Sequence, residues 1–264
     1  MKGSKKIFFL SDAHLGYPNK LESREREEKL VSFLDDIMEE AEAVYLLGDM
    51  FDFWYEYSSV VPRGYVRFLG KLAALTDRGI PVHFFTGNHD IWAFKYLQEE
   101  IGLEIHREAL ITEIGSKRFF LSHGDGTDNN DKKFLLLKKL FTNRCLQWFF
   151  SRLHPNFAFR IASGWSKHSR MTHGTEPFEN EREPMVIYAR NHLLQEGLDF
   201  IIFGHRHCPA DYTLSEDTRM IILGDWITHF TYGEFDGESF ELKKFNKNTP
   251  SPLTVGNTGE GARG

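Results

Sequence analysis

The chain has 264 residues, 41% of them hydrophobic and 27% charged, which suits a globular protein with material for one large core or a core carrying an insertion. No run of about 18 uncharged apolar residues occurs, which argues against a transmembrane helix, and Ile7–Leu10 behind the basic start is too short for a secretory signal. The net charge of −6 hides an asymmetry: Lys132 to Arg170 holds nine Lys/Arg and no Asp/Glu, leaving the remainder at −15.

Ile7–Leu10 reads as a buried strand ending in Ser11-Asp12-Ala13-His14. From Leu21 to Ala41 the positions Leu30, Phe33, Leu34, Ile37 and Met38 recur at three and four, which predicts an amphipathic helix. Val44–Leu47 is the next strand, ending in Gly48-Asp49, and a second helix over Tyr65–Arg78 is closed by Gly79 and Pro81. Val82–Phe85 then runs into Gly87-Asn88-His89-Asp90, and Ile91–Ile101 reads as a third helix. Strands alternating with helices predict a parallel sheet with a site beyond the carboxyl ends of its strands.

Ile111–Ile114 and Lys117–Ser122 read as a hairpin ending in His123-Gly124-Asp125, which makes the sheet mixed. A segment over 128–183 interrupts the strand pattern. Strand resumes at Asp199–Phe203, ending in Gly204-His205-Arg206-His207, and continues at Met220–Leu223, Thr228–Tyr232 and Ser239–Phe245. The tail 246–264, rich in Asn, Thr, Pro and Gly, is expected to be disordered. Cys145 and Cys208 lie far apart without metal-ligand spacing, which fits a reducing cytoplasm.

The strand ends collect Asp12, His14, Asp49, Asn88, His123, His205 and His207, all oxygen or nitrogen donors. Such a set suits Mn²⁺, Fe or Zn²⁺ better than Ca²⁺ or Mg²⁺. Seven donors exceed one ion's needs, whereas two ions about 3.5–4 Å apart sharing a carboxylate would use them all. Any one cluster alone is weak, and Gly87-Asn88-His89-Asp90 by itself is a turn. His83, His106 and His154, each considered singly, read as satisfied surface or core residues rather than ligands.

The series Asp12-Ala13-His14, Gly48-Asp49-Met50-Phe51-Asp52, Gly87-Asn88-His89-Asp90, His123-Gly124-Asp125 and Gly204-His205-Arg206-His207 resembles the signature of the calcineurin-like metallophosphoesterases. The resemblance implies an α/β fold of two packed mixed β-sheets flanked by helices. Its core is 1–127 with 184–245, and 128–183 forms a helical cap insertion. It also implies that Asp12, His14 and His207 hold one metal, that Asn88, His123 and His205 hold the other, and that Asp49 bridges. His89, oriented by Asp90, would face the substrate phosphoryl group. A catalytically inactive, protein-binding version of the fold would show eroded ligands, and all seven are intact.

The insertion places Phe134, Leu137, Phe141, Cys145 and Trp148 on one helical stripe among its Lys and Arg residues. That pattern suits either a core with a solvated basic face or a surface for an anionic lipid and membrane. Gly48 to Trp54, the insertion after Asp125 and its Ser163-Gly164-Trp165-Ser166-Lys167 stretch are similar to the UDP-2,3-diacylglucosamine hydrolases of lipid A synthesis. This narrower resemblance implies cleavage of a UDP-sugar lipid to UMP and diacylglucosamine 1-phosphate, usually with two Mn²⁺, at the cytoplasmic face of the inner membrane. Ser166, Lys167 and Arg170 are the candidate contacts to the substrate's polar head, and no nucleic-acid partner is expected. The best-known members carry Arg where this chain has His89, so a general phosphoesterase acting on soluble nucleotides or phosphodiesters is the alternative.

Overall fold

The computed structural model of the chain describes residues 5–128, 132–161, 164 and 178–246. Eleven strands form two sheets among the described residues. The first takes β1 (Lys6–Leu10), β2 (Ala41–Leu46), β3 (Val82–Phe85), β4 (Glu104–His106), β10 (Thr231–Phe235) and β11 (Phe240–Lys244) in the order β11-β10-β1-β2-β3-β4. The second takes β5 (Leu110–Ile114), β6 (Lys117–Ser122), β7 (Phe200–Phe203), β8 (Ala210–Thr213) and β9 (Arg219–Ile222) in the order β5-β6-β7-β9-β8. The central pairs β1–β2–β3–β4 and β6–β7–β9 are parallel, and antiparallel strands border them.

The sheets face each other through rings. Phe9 stacks on Tyr45 at 5.1 Å and on Phe119 at 6.0 Å, and Phe119 on Phe200 at 4.9 Å, which accounts for part of the chain's 24 Phe. Strands buried on both faces lose polar alternation and read as apolar runs. The outer face of the first sheet is covered by α1 (Lys20–Ile37), α2 (Val66–Asp77) and α3 (Tyr96–Ile101). On the second sheet, α6 (Pro184–His192) packs Met185, Val186 and Ala189 against Ile201, Phe203 and Ile222.

Two buried charges on α1 are structural. Arg26 Nη1 donates to the carbonyl oxygens of Ala13, His14 and Tyr17 at 2.9–3.1 Å, pinning the loop that leaves β1. Glu27 accepts the Arg67 and Phe68 N–H groups and so caps α2, whose N-cap residue Tyr65 provides no side-chain bond.

Two elements differ from expectation. The helix over Ile91–Ile101 begins only at Tyr96, because Trp92 bridges to Tyr55 and the Glu56 carboxylate accepts the Lys95 and Tyr96 N–H groups. The strand over Thr228–Tyr232 begins at Thr231, because Asp225 Oδ1 accepts the N–H groups of Ile227, Thr228 and His229 and curls that stretch into a turn. Of the insertion, α4 (Lys132–Thr142), α5 (Arg144–Phe150) and a helical stretch over 155–161 are described. The tail from 247 onward lies outside the described residues. Among the described residues, no helix is long and apolar enough to cross a membrane.

Candidate metal centre

The loops leaving β1, β2, β3, β6 and β7 all emerge at one edge of the sandwich, where parallel pairing aligns the strand ends. Backbone bonds extend the ladder into the loops, with Asp12 N–H donating to Gly48 O at 3.0 Å and His14 N–H to Asp49 O at 2.9 Å. Asp12, His14, Asp49 and His205 have φ of 55°, 42°, 53° and 64°. Four non-glycine residues in left-handed conformation at one site represent strain stored where side chains must be aimed. The space is equally constrained. A Cβ on Gly87 would lie 2.2 Å from Asp49 Oδ1, so only glycine lets the β3 loop approach that carboxylate.

Asp12, His14, Asp49 and His123 are buried, while Asn88, His89, His205 and His207 are partly exposed. Asp49 Oδ1 accepts the His89 N–H at 2.8 Å, which leaves Oδ2 between His14 Nε2 at 3.6 Å and His123 Nε2 at 3.3 Å. Asp12 Oδ2 accepts the His205 N–H at 2.9 Å, and its Oδ1 stands 3.7 Å from His14 Nε2 and 3.6 Å from His207 Nε2. Separations above 3.5 Å are too long for hydrogen bonds. Asp12 Oδ1, Asn88 Oδ1 and His123 Nε2 are buried without a hydrogen-bond partner, a costly arrangement unless cations lie beside them. Candidate ligand atoms of Asp12, His14 and His207 lie within 4.8 Å of one another, as do those of Asp49, His123 and His205. The residues present therefore fit two cations with Asp49 between them, and Asn88, whose Oδ1 is buried without a partner, borders the same cleft.

The rings are held from behind. His123 Nδ1 lies 2.7 Å from the Leu47 carbonyl oxygen and His207 Nδ1 lies 3.3 Å from Asp225 Oδ2. A proton on each Nδ1 leaves the Nε2 lone pair facing the cluster. Burial would raise the Asp49 carboxyl, but His123 and His89 outweigh it and hold it well below the usual range. Burial pushes Asp12 up to about 6 and His205 down to about 3, so His205 is a neutral donor. Positive charge at the centre favours the ionised carboxylates and neutral imidazoles that ligation requires.

Two assignments need revision. Asp90 was expected to orient His89, yet its carboxylate accepts N–H bonds from Gly87, Asp49, Met50 and Phe51 at 2.7–3.4 Å. The His89 ring instead places Nδ1 2.9 Å from the Asp52 carbonyl oxygen. Asp90 thus ties the β2 and β3 loops together, because four amides converge on it. Asp225 was missed, although Gly224-Asp225 follows a strand just as Gly48-Asp49 does. Ser166, Lys167 and Arg170 lie outside the described residues.

Of the donors, His14, Asp49, Asn88, His205 and His207 border a cleft of about 760 Å³ that also reaches His89, Thr127, Phe134, Arg182 and Met185. Phe141 and Phe150 pack on Trp92 at 5.0 Å, and Tyr55 Oη donates to Gln147 O, which anchors α4 and α5. Leu136, Leu140, Leu146, Trp148 and Phe149 on these helices are exposed, while Phe134, Leu135 and Leu137 are half-buried.

Two sheets whose parallel strands deliver two nitrogen–oxygen donor sets around a shared carboxylate define a dinuclear metallohydrolase. Residues 5–209 match the calcineurin-like phosphoesterase family, and the chain belongs to it. Among its curated relatives, the UDP-2,3-diacylglucosamine hydrolase of Porphyromonas gingivalis is 38% identical over 253 residues, covering 90% of this chain and 97% of that protein. Proteins of the same name from Aeromonas salmonicida and Edwardsiella ictaluri are 30% and 28% identical, covering 83% and 89% of this chain and 85% and 90% of their own lengths.

Proposed function

We propose that this enzyme hydrolyses the pyrophosphate bond of UDP-2,3-diacylglucosamine, releasing UMP and 2,3-diacylglucosamine 1-phosphate. The observation that carries the reading is the convergence of Asp12, His14, His123, His205 and His207 with Asp49, in a chain matched along nine-tenths of its length by a hydrolase of that name. Asp12, His14 and His207 would hold one divalent cation and Asn88, His123 and His205 the other, with Asp49 shared between them. Mn²⁺ is the preferred ion, with Fe or Zn²⁺ as alternatives. When bound, such a pair activates a water near neutral pH and neutralises the phosphoryl oxygens.

The chain's own residues position the substrate. His89 borders the cleft with its Nδ1 proton committed to the Asp52 carbonyl, leaving Nε2 to hold a phosphoryl oxygen. Asp52 Oδ1 lies 3.9 Å from His89 Nδ1. The phosphate leaving group carries its own charge, so no side chain need protonate it. Support for a lipid substrate comes from Phe134 of α4 lining the cleft and from the exposed apolar and basic side chains of α4 and α5, which also suit peripheral contact with the cytoplasmic face of an anionic membrane. Ser166, Lys167 and Arg170 remain the proposed head-group contacts. Assay of the purified full chain with Mn²⁺ and the lipid should yield UMP. Hydrolysis of soluble nucleotides without turnover of the lipid would overturn the lipid reading and favour a general phosphoesterase.

A further inference from the structure

A second cluster lies away from the strand ends. In the parallel pairing of β3 with β4, His83 stands opposite Glu104 and Phe85 opposite His106. The two-residue period puts Glu104 and His106 on one face of β4, beside His83 on β3. His83 Nδ1 lies 3.2 Å from His106 Nε2 and 3.1 Å from Glu104 Oε2. Each imidazole is held by a ring: His83 stacks on Tyr45 at 4.3 Å, and His106 on Phe85 at 4.6 Å. Ordinary extended backbone thus brings together three donors whose rings are already oriented.

Counting protons shows what this cluster lacks. Burial lowers both imidazoles from their ordinary values, with Glu104 opposing, so the neutral forms are favoured. A neutral His83 carries one ring proton. If it sits on Nδ1 and is given to Glu104, the His106 lone pair shares it at a poor angle or goes without. If His106 donates to His83 Nδ1, that nitrogen's lone pair faces the Glu104 carboxylate, which is repulsive. One cation between the three atoms satisfies all of them. Two ligands at about 2.0–2.1 Å from a tetrahedral zinc are about 3.3 Å apart, close to both observed separations.

We infer that His83, Glu104 and His106 form a third metal site at the β4 edge of the first sheet, taking a divalent transition ion of the Zn²⁺ class. Two imidazoles and a carboxylate suit Zn²⁺ better than Mg²⁺ or Ca²⁺. The Glu104 side chain is 62% exposed, so the fourth position opens to water. The ion would join β4, a three-residue strand at the end of the sheet order, to its neighbour β3.

Crystals of the full chain soaked with Zn²⁺ alone and measured on both sides of the zinc edge test the site. The expected result is an anomalous peak within about 2.0–2.3 Å of His83 Nδ1 and His106 Nε2. In equilibrium dialysis with Zn²⁺, His106→Ala should bind one equivalent fewer than the parent protein, with phosphoester hydrolysis unchanged. Glu104→Gln alters an exposed carboxylate and so keeps the test valid should His106→Ala misfold; it should weaken that one equivalent at least tenfold. No peak between these residues, or equal stoichiometry and affinity in the parent and Glu104→Gln, would overturn the inference.

Discussion

Replacing Asp225 by Asn exchanges one oxygen for an amino group behind His207. The Asn Oδ1 can still accept the N–H groups of Ile227, Thr228 and His229, as Asp225 does at 2.8–3.2 Å, so the turn is retained. The atom facing His207 Nδ1, now 3.3 Å away, becomes a donor against a donor. The ring must either turn or move its proton to Nε2, the nitrogen aimed at Asp12, and in both cases a metal donor is lost. Loss of such a supporting carboxylate costs about 10–100-fold in metal affinity or activity, or about 1.4–2.7 kcal/mol. Metal content after dialysis against graded Mn²⁺, together with kcat, measures the effect. Affinity and kcat both within twofold of the parent would refute the argument.

The same substitution has a pH signature in chelated protein. Burial would raise Asp225, but His207 and the turn's N–H groups outweigh it and take it from the ordinary 3.8 to about 2. A carboxyl depressed by folding contributes stability that is present above its unfolded value and lost as the pH falls towards its folded one. The contribution is about 2 kcal/mol, lost between about pH 4 and pH 2. Denaturant unfolding across that window should be steeper in pH for the parent than for Asp225→Asn.

Gly87→Ala places a Cβ 2.2 Å from Asp49 Oδ1 and 2.7 Å from Asp49 N, so the shared carboxylate must move. Hydrolysis should fall about 10²-fold or more, with reduced Mn²⁺ content by elemental analysis. His89→Ala should lower kcat by about 10²–10⁴-fold while both metals stay bound, a combination that separates phosphoryl contact from ligation. Glu27→Ala removes the acceptor for the Arg67 and Phe68 N–H groups. It should cost about 1–2 kcal/mol and lower Tm by about 2–8 °C in calorimetry, with turnover well below the transition unchanged.

Most of the fold and the candidate ligand set were legible because their signals are local. Val82, Phe84 and Phe85 are apolar because β3 is buried in the sandwich, and the donors follow such runs closely, so strand and site announce each other within a few residues. The helix expected over Ile91–Ile101 and the strand expected over Thr228–Tyr232 failed for one reason: a carboxylate, Glu56 or Asp225, bound the backbone amides there and fixed a different start. Short edge strands such as Glu104–His106 carry too little pattern to be seen at all.

The sequence by itself determined the donor chemistry available to the candidate centre, because oxygen and nitrogen donors without thiolates are a property of the side chains at Asp12, His14, Asp49, Asn88, His123, His205 and His207. Tertiary structure alone decided who stands behind whom. Asp90 serves the β2 loop rather than His89, Asp225 rather than a nearer acid backs His207, and His83 and His106, unremarkable singly, become a pair. Those outcomes depend on sheet order and register, which bring residues as distant as Asp12 and His205 within 2.9 Å, and no local pattern encodes a distance set by the packing of the whole chain.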